Sequence, residues 1–223
     1  MDGRDKSAGF GRSDQHPFSL PPDESFDEAT PPALPSGWHS VQEGSGLGWI
    51  TSASGAASLP NAAFTDDPAT VIDKAIEMPS FFVVTAGQLR FRHKMDLDSS
   101  PGSDVTFDGV VLEIANPSGQ FEDILEAGGS FVSGGYDHIV FPSSGNSLAG
   151  RAAWGGVTEG YQDVVVNLPA SSDGTSVHLR LRMGTDSFES GVGYWLDDVH
   201  VDVKPRPDCI LIDGFDGSGN PCA

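Results

Sequence analysis

Hydrophobic and charged residues alternate along much of the chain from about residue 46 onward. In residues 89–97 (LRFRHKMDL) the odd positions carry Leu, Phe, His or Met and the even positions are charged. In residues 177–183 (VHLRLRM) the odd positions are apolar and the even positions are basic. A period of two predicts β-strands that place one face in a core and the other in water. The same alternation predicts strands over residues 110–114, 164–168 and 199–203.

Turn-forming residues separate these predicted strands. They occur at residues 100–102 (SPG), 108–109 (DG), 116–119 (NPSG), 143–146 (SSGN) and 173–174 (DG). Many short strands joined by such turns predict an all-β fold, a two-sheet antiparallel β-sandwich of the jelly-roll type. Residues 67–78 have helix-like apolar spacing that ends at Pro79, and we do not expect a helix there.

The amino-acid composition argues against helical and fully disordered chains, and it changes along the sequence in a way that predicts three segments. With 28 Gly and 16 Pro among 223 residues, a helical bundle or a coiled coil is excluded, because these are the poorest helix formers. A hydrophobic content of 38% with 13 Phe argues against a fully disordered chain. We expect a disordered leader over residues 1–20, a β-sandwich over 21–204 and a C-terminal tail over 205–223.

The charge of the chain restricts its partners. Twelve basic residues oppose 32 acidic ones, for a formal net charge of −20. Such a surface repels phosphate backbones, so nucleic acid and anionic membranes are poor partners and cations are good ones. The sequence contains no apolar run of the roughly 18 residues that a membrane span needs. We therefore expect no membrane insertion. Separately, the first twenty residues lack the apolar centre of a signal peptide.

Strand parity places three acidic residues on inward faces. Asp197 shares its face with Trp195 and Val199, whereas Asp198 points outward. Glu24 shares parity with Phe26 and Asp108 with Val110. An unpaired carboxylate that faces a core costs several kcal/mol, so it needs a cation, hydrogen-bond donors or a proton. Because Ca²⁺ takes six to eight oxygen ligands, three convergent carboxylates predict a calcium site.

Each acid also has an interpretation without metal. Asp108 precedes a glycine and could cap a turn. Asp197 could be neutralised by Arg151 or could accept hydrogen bonds from backbone amides. Glu24 could be a solvated residue at the start of a strand. For the lone inward His93, hydrogen bonding in the core is the expected role rather than metal ligation.

The sequence lacks the common catalytic motifs. It contains no G-x-S-x-G, no H-E-x-x-H and no phosphate-binding glycine loop, so we expect a protein that is not an enzyme. A glycan-active hydrolase or lyase that uses a carboxylate pair remains an alternative. Another is a carbohydrate-binding module, for which Tyr136, Trp154 and Tyr161 are candidate platform residues. Trp in a sandwich is, however, more often a core residue.

The two cysteines lie at the C-terminal end of the chain. Cys209 and Cys222 bracket a glycine-rich segment that has few apolar residues to hold it down. We expect them to form a disulfide in an oxidising compartment.

Several segments, taken in order, resemble the MAM-like jelly-roll domains that accompany secreted bacterial peptidases of the immune inhibitor A type. They run from residue 24 to residue 203. They are residues 24–27 (ESFD), 34–38 (LPSGW), 89–93 (LRFRH), 108–114 (DGVVLEI), 128–136, 150–156, 177–182 and 195–199 (WLDDV).

This resemblance implies an exported jelly roll with a calcium ion held by the opening and closing strands. The candidate metal ligands are therefore Glu24, Asp27, Asp108, Asp197 and Asp198. The sequence predicts a secreted, non-catalytic, calcium-stabilised β-sandwich for binding or adhesion. Its expected partner is a glycan or an extracellular protein surface.

Overall fold

The computed structural model describes residues 21–44 and 46–204, in which the regular secondary structure is almost entirely β-strand. The described residues contain one 3₁₀ turn, Ala170–Ser172, and no helix long and apolar enough to cross a membrane. The strands are β1 (Asp23–Glu24), β2 (His39–Glu43), β3 (Ile50–Ser52), β4 (Ala62–Asp66), β5 (Asp73–Glu77), β6 (Phe81–Val83), β7 (Gln88–Asp96), β8 (Val105–Thr106), β9 (Gly109–Ala115), β10 (Phe121–Asp123), β11 (Ser130–Ser133), β12 (His138–Val140), β13 (Ala152–Ala153), β14 (Gln162–Asn167), β15 (Thr175–Val177), β16 (Leu179–Gly184) and β17 (Gly193–Asp202).

Two antiparallel sheets form the sandwich, which confirms the predicted fold class. The large sheet has the order β11-β14-β7-β17-β4-β3, with β1 paired to β17. The small sheet has the order β10-β9-β16-β5-β2. Two minor sheets, β13-β12-β8 and β15-β6, lie beside them, and the pairing of β12 with β8 is parallel.

One hydrophobic core fills the space between the two main sheets. From the large sheet come Leu89, Phe91, Met95, Val164, Val166, Tyr194 and Leu196; from the small sheet come Ile76, Val110, Leu112, Leu179, Leu181 and Met183. Each fully buried side chain of this size contributes about 1.5–3 kcal/mol of transfer free energy. The alternation predicted for β7 is confirmed, because its odd-numbered residues are buried and its even-numbered residues are more exposed.

Strand β9 departs from the predicted alternation because both of its faces are covered. Val110, Leu112 and Ile114 face the main core, as expected. On the opposite face, Val111 packs in a second small core with Val140, Leu148 and Ala153. The segment that carries β12 and β13 thus covers part of the outer face of the small sheet, which local periodicity could not show.

Residues 67–78 contain β5 and no helix. Lys74 on this strand is fully buried and faces the space between the sheets, where its Nζ donates to the backbone oxygen and carboxylate of Asp66, both at 2.5 Å. The apolar spacing at Ile72, Ala75 and Ile76 reflects burial on both sides of a strand rather than one face of a helix.

Strand β17 carries a β-bulge that reverses the parity expected from the sequence. The register with β7 shifts between Asp197 and His200, and Asp198 has a φ of 49°. Before the bulge, Tyr194 and Leu196 face the core, so the prediction that Trp195 points inward is wrong. A bulge adds one residue to a strand, which moves later side chains to the opposite face.

We expect the buried His93 to make the protein sensitive to acid. It is fully buried, its Nδ1 lies 2.7 Å from the Tyr194 hydroxyl, and desolvation lowers its pKa to about 3. Between pH 6.5 and 3 the unfolded chain therefore binds a proton that the folded chain does not, so stability falls as the pH falls. The slope from this one group reaches about 1.4 kcal/mol per pH unit.

Replacing the imidazole tests this expectation. Denaturant unfolding of the His93→Phe variant between pH 7 and 4 should show a shallower loss of unfolding free energy than the unmodified chain. His39→Phe, at an exposed position on β2, is the matched control and should leave the slope unchanged. Parallel pH profiles for the His93 variant and the unmodified chain would contradict the prediction.

Candidate functional site

Asp197 is fully buried at the bulge of β17, and backbone amides satisfy its carboxylate. Its Oδ2 accepts from the backbone N–H groups of Ala57 at 2.7 Å and Ser58 at 3.0 Å. Its Oδ1 accepts from the N–H of Asp198 at 2.8 Å and lies 3.4 Å from the Ser58 hydroxyl. This is the backbone-amide alternative foreseen from the sequence, and Arg151 pairs elsewhere. Burial nevertheless raises the pKa of Asp197.

Glu24 and Asp27 lie in the opening segment beside Asp197, as the resemblance implies. Strand β1 pairs Glu24 with Val199, and its Oε1 accepts from the N–H of Phe26 at 2.6 Å. Asp27 accepts from the N–H of Asn61 at 3.1 Å. Partial burial, reinforced by the charges of Asp27 and Asp197, raises the pKa of Glu24. These three acids, here called the Asp197 group, share one part of the molecule.

Asp198 points away from the core, as expected. Its side chain is about one-third exposed, and Arg92 Nη1 approaches Oδ2 at 3.4 Å.

Asp108 does not converge with the Asp197 group, which corrects the prediction of a single site. It lies beside Asp98, two residues after the end of β7, whereas Asp197 pairs with Arg92 on the same strand. Six residues of strand separate Asp98 from Arg92, or about 20 Å. Instead, Asp108 belongs to an acid cluster that strand parity did not reveal, formed by Asp67, Asp98, Asp108 and Asp186.

The acid cluster is compact and largely buried. Carboxylate oxygens of Asp98, Asp108 and Asp186 lie within 4.8 Å of one another. Asp67, Asp108 and Asp186 are 3%, 0% and 1% exposed. Burial, with the neighbouring charge of Asp67, raises the pKa of Asp108 well above its usual range, and burial also raises the pKa of Asp67. Such carboxylates require a cation, hydrogen-bond donors or a proton to remain inside the fold.

Of the three predicted platform residues, Trp154 is a core residue and Tyr136 is partly buried against the core. Trp154 is 1% exposed, and its Nε1 donates to the Gly134 carbonyl at 2.8 Å. The hydroxyl of Tyr136 accepts from the N–H of Leu112 at 2.9 Å and lies 3.1 Å from Asp123 Oδ2. The Trp154 ring packs in T-shaped contacts with the rings of Phe131 and Tyr136.

Tyr161 lies on the outer face of the large sheet, among residues that the sequence did not single out. Lys94 Nζ lies 5.3 Å from the centroid of the Tyr161 ring and 4.5 Å from that of Trp195. The Trp195 ring lies 4.8 Å from the Phe64 ring. Register pairs Phe64 with Trp195 and Trp195 with Lys94. We call these four partly exposed side chains the aromatic row.

A charged network occupies the outer face of the small sheet. Glu113, 2% exposed, accepts from Arg151 Nη1 at 2.6 Å and pairs with Arg180 Nη2 at 2.6 Å. Arg151 also contacts Asp123 at 2.9 Å, and Arg182 pairs with Asp73. The pKa of Glu113 is lowered because these hydrogen bonds and charges outweigh its burial. Both arginines of β16, Arg180 and Arg182, are thus paired with acids.

Cys209 and Cys222 lie outside the described residues, so their disulfide remains a prediction. The leader over 1–20 and the tail over 205–223 also lie outside them.

Comparison with known proteins identifies the fold. No family model and no curated protein matches the chain. The K1 cleaved adhesin domain of Lys-gingipain from Porphyromonas gingivalis W83 aligns with a TM-score of 0.50 and 18% identity, over 84% of this chain and 100% of that domain. This chain shares its β-sandwich fold. At such low identity the similarity shows the fold alone.

Two carbohydrate-binding domains align less well. TmCBM61, in complex with β-1,4-galactotriose, gives a TM-score of 0.45 and 8% identity, over 76% of this chain and 90% of that chain. The CBM22-1 xylan-binding domain of Paenibacillus barcinonensis Xyn10C gives 0.43 and 14%, over 85% of this chain and 96% of that chain.

Asp197→Asn should destabilise the fold more than Asp198→Asn does. An amide NH₂ at position 197 would face backbone N–H groups that now donate to a carboxylate, a loss of about 1–3 kcal/mol. Asn tolerates the positive φ of position 198, where the cost should stay within about 0.5 kcal/mol. Chemical denaturation of both variants measures the difference. Equal losses would show that the amide contacts of Asp197 contribute little.

Proposed function

We propose that this protein is a secreted, non-catalytic β-sandwich module that binds a neutral glycan on the outer face of its large sheet, with calcium as a structural cofactor. The observation that carries the proposal is the aromatic row. It places the partly exposed rings of Phe64 on β4, Trp195 on β17 and Tyr161 just before β14 on one face, with Lys94 of β7 between the last two.

The aromatic row has the chemistry of a sugar-binding surface. Rings of Phe64, Trp195 and Tyr161 offer apolar area, and Lys94 between two of them supplies a hydrogen-bond donor. Sites for small ligands combine apolar or aromatic area with a few polar groups that fix orientation. Backbone carbonyl groups hold two of these rings in place. Trp195 Nε1 donates to the Ser54 carbonyl at 3.1 Å, and the Tyr161 hydroxyl donates to the Gly55 carbonyl at 2.8 Å.

Charged groups beside the row can supply further hydrogen bonds. Arg92 lies 5.5 Å from the Tyr161 ring centroid and approaches Asp163 and Asp198, each at 3.4 Å. Sugar hydroxyls can both donate to such carboxylates and accept from such a guanidinium. The net charge of −20 disfavours acidic polysaccharides, so a neutral glycan is the better partner.

The acidic residues support a role in binding rather than hydrolysis. A glycosidase needs two carboxyl groups about 5–10 Å apart that reach the substrate in an open cleft. The acids of the acid cluster are mostly buried, and Glu113 is surrounded by arginines. Calcium as a structural cofactor would compensate the buried carboxylates, and secretion is supported by the resemblance to domains of exported proteins.

Removing the Trp195 ring tests the proposal. Affinity electrophoresis against soluble neutral polysaccharides, namely β-1,4-galactan, xylan and hydroxyethylcellulose, should show retardation of the unmodified chain by at least one of them. Trp195→Ala should weaken that binding at least tenfold, because a central aromatic residue often carries more than 2 kcal/mol of an interface. Trp195→Phe should retain part of it.

Phe188→Ala is the matched control. Phe188 is 74% exposed on a loop away from the aromatic row, so its removal tests whether any exposed ring is enough. It should bind like the unmodified chain, and melting curves should show that all variants fold. Absence of retardation by every polysaccharide, or equal binding by Trp195→Ala, would contradict glycan binding on this face. An extracellular protein surface would then be the better partner.

A further inference from the structure

We infer that the acid cluster is a calcium site that joins the two sheets of the sandwich, and that it, rather than the Asp197 group, holds the structural cation. This deepens the calcium part of the proposed function. It does not depend on glycan binding.

The cluster forms where four strands end at the same side of the sandwich. Asp67 follows β4 and Asp98 follows β7, both in the large sheet. Asp108 precedes β9 and Asp186 follows β16, both in the small sheet. A single ion bound by Asp98, Asp108 and Asp186 would therefore link β7 of the large sheet to β9 and β16 of the small sheet. A connection of this kind opposes separation of the two sheets at this end of the sandwich.

The backbone fixes one oxygen of each buried acid and leaves the other available. Asp108 Oδ1 accepts from the N–H of Asp186 at 2.6 Å, and Asp186 Oδ1 from the N–H of Phe188 at 2.8 Å. Asp67 Oδ2 accepts from the N–H groups of Asp98 at 3.0 Å and Gly191 at 2.8 Å. These bonds orient the carboxylates without using their second oxygens.

The second oxygens are buried and lack donors among the described residues. They are Asp67 Oδ1, Asp108 Oδ2 and Asp186 Oδ2. A buried acceptor with no donor costs about 1–3 kcal/mol, and more when charged. Lys74, the nearby buried cation, is already engaged by Asp66 and by the Leu47 carbonyl. A cation bound by Asp98, Asp108 and Asp186 would compensate the charge of these carboxylates.

The Asp197 group lacks this feature. Both oxygens of Asp197 already accept hydrogen bonds from Ala57, Ser58 and Asp198. An ion at that position would have to compete with three backbone donors. The unsatisfied oxygens, and so the stronger demand for a cation, are in the acid cluster.

The oxygen spacing and ligand type favour calcium. Ca²⁺ binds oxygens at 2.3–2.6 Å, so oxygens on opposite sides of one ion lie at most about 5 Å apart. The carboxylate oxygens of Asp98, Asp108 and Asp186 lie within 4.8 Å of one another, which fits within that span. Carboxylates without His or Cys favour a hard cation over zinc or copper. Mg²⁺ binds more weakly to crowded protein carboxylates, because it keeps most of its water ligands.

The test uses the full chain, stripped of metal with a chelator. Calorimetric titration with CaCl₂ should show binding by the unmodified chain, and 1 mM calcium should raise its melting temperature by several degrees. The same concentration of MgCl₂ should give a smaller rise. Asp108→Asn and Asp186→Asn should each weaken calcium binding at least tenfold, because each removes a charged ligand and keeps its shape.

Two control variants locate the site. Asp163→Asn removes one charge from an exposed side chain and should bind calcium like the unmodified chain. Asp197→Asn should keep the calcium-dependent rise, although it lowers stability overall. In chelator, Asp108→Asn should melt at or above the unmodified chain, because one crowded charge is gone. In the presence of calcium, Asp108→Asn should melt at a lower temperature than the unmodified chain.

Each contrary result has a distinct meaning. Calcium binding lost in Asp197→Asn but kept in Asp108→Asn would overturn the inference and leave a calcium-stabilised protein. No calcium binding by the unmodified chain would overturn both calcium claims, and Asp67 and Asp108 would then share a proton. Equal destabilisation of Asp108→Asn with and without calcium would assign that residue a purely structural role. Equal rises with calcium and magnesium would contradict the choice of cation.

Discussion

The two sheets can pack against a common core only if the negative charge of the carboxylates buried at their strand ends is compensated. The apolar core itself is continuous. At one end, however, Asp67, Asp108 and Asp186 are buried with a single nearby ammonium that is already paired with Asp66. Desolvation of several carboxylates in one place is among the most costly arrangements a fold can contain. The proposed cation would turn that cost into a link between the sheets.

The bulge in β17 determines which side chains the large sheet presents on its outer face. Before the bulge, Tyr194 and Leu196 face the core and Trp195 faces outward; after it, Val199 and Val201 face the core. In a strand without the bulge, Trp195, Val199 and Val201 would share one face, so all three would be buried or all three exposed. The same irregularity brings the N–H of Asp198 onto Asp197 and anchors the segment through Ala57 and Ser58.

The two faces of the sandwich divide the remaining charge differently. On the small sheet, Glu113 is enclosed by arginines and partly covered by the segment that carries β12 and β13. Those groups satisfy one another, so that face offers few free donors or acceptors. On the large sheet, Arg92 and Lys94 lie beside partly exposed rings. The ion pairs of Arg92 with Asp163 and Asp198 are longer, at 3.4 Å, and Lys94 lies against the Trp195 ring. A ligand that needs both apolar contact and hydrogen bonds therefore fits the large sheet better.

The sequence alone predicted the all-β class and the inward face of β7, because a period of two acts locally within each strand. It also predicted that Asp108 and Asp197 are buried, but parity assigned Asp197 to the same inward face as Trp195, and that assignment is wrong because Trp195 points outward. It could not determine that residues distant in sequence, Asp67, Asp98, Asp108 and Asp186, meet at one end, since strand order and register bring them together. Nor could it show that Trp154 is enclosed and Trp195 exposed. A single extra residue at the bulge reverses a face without changing the composition, and only the pairing of β17 with β7 reveals where that residue lies.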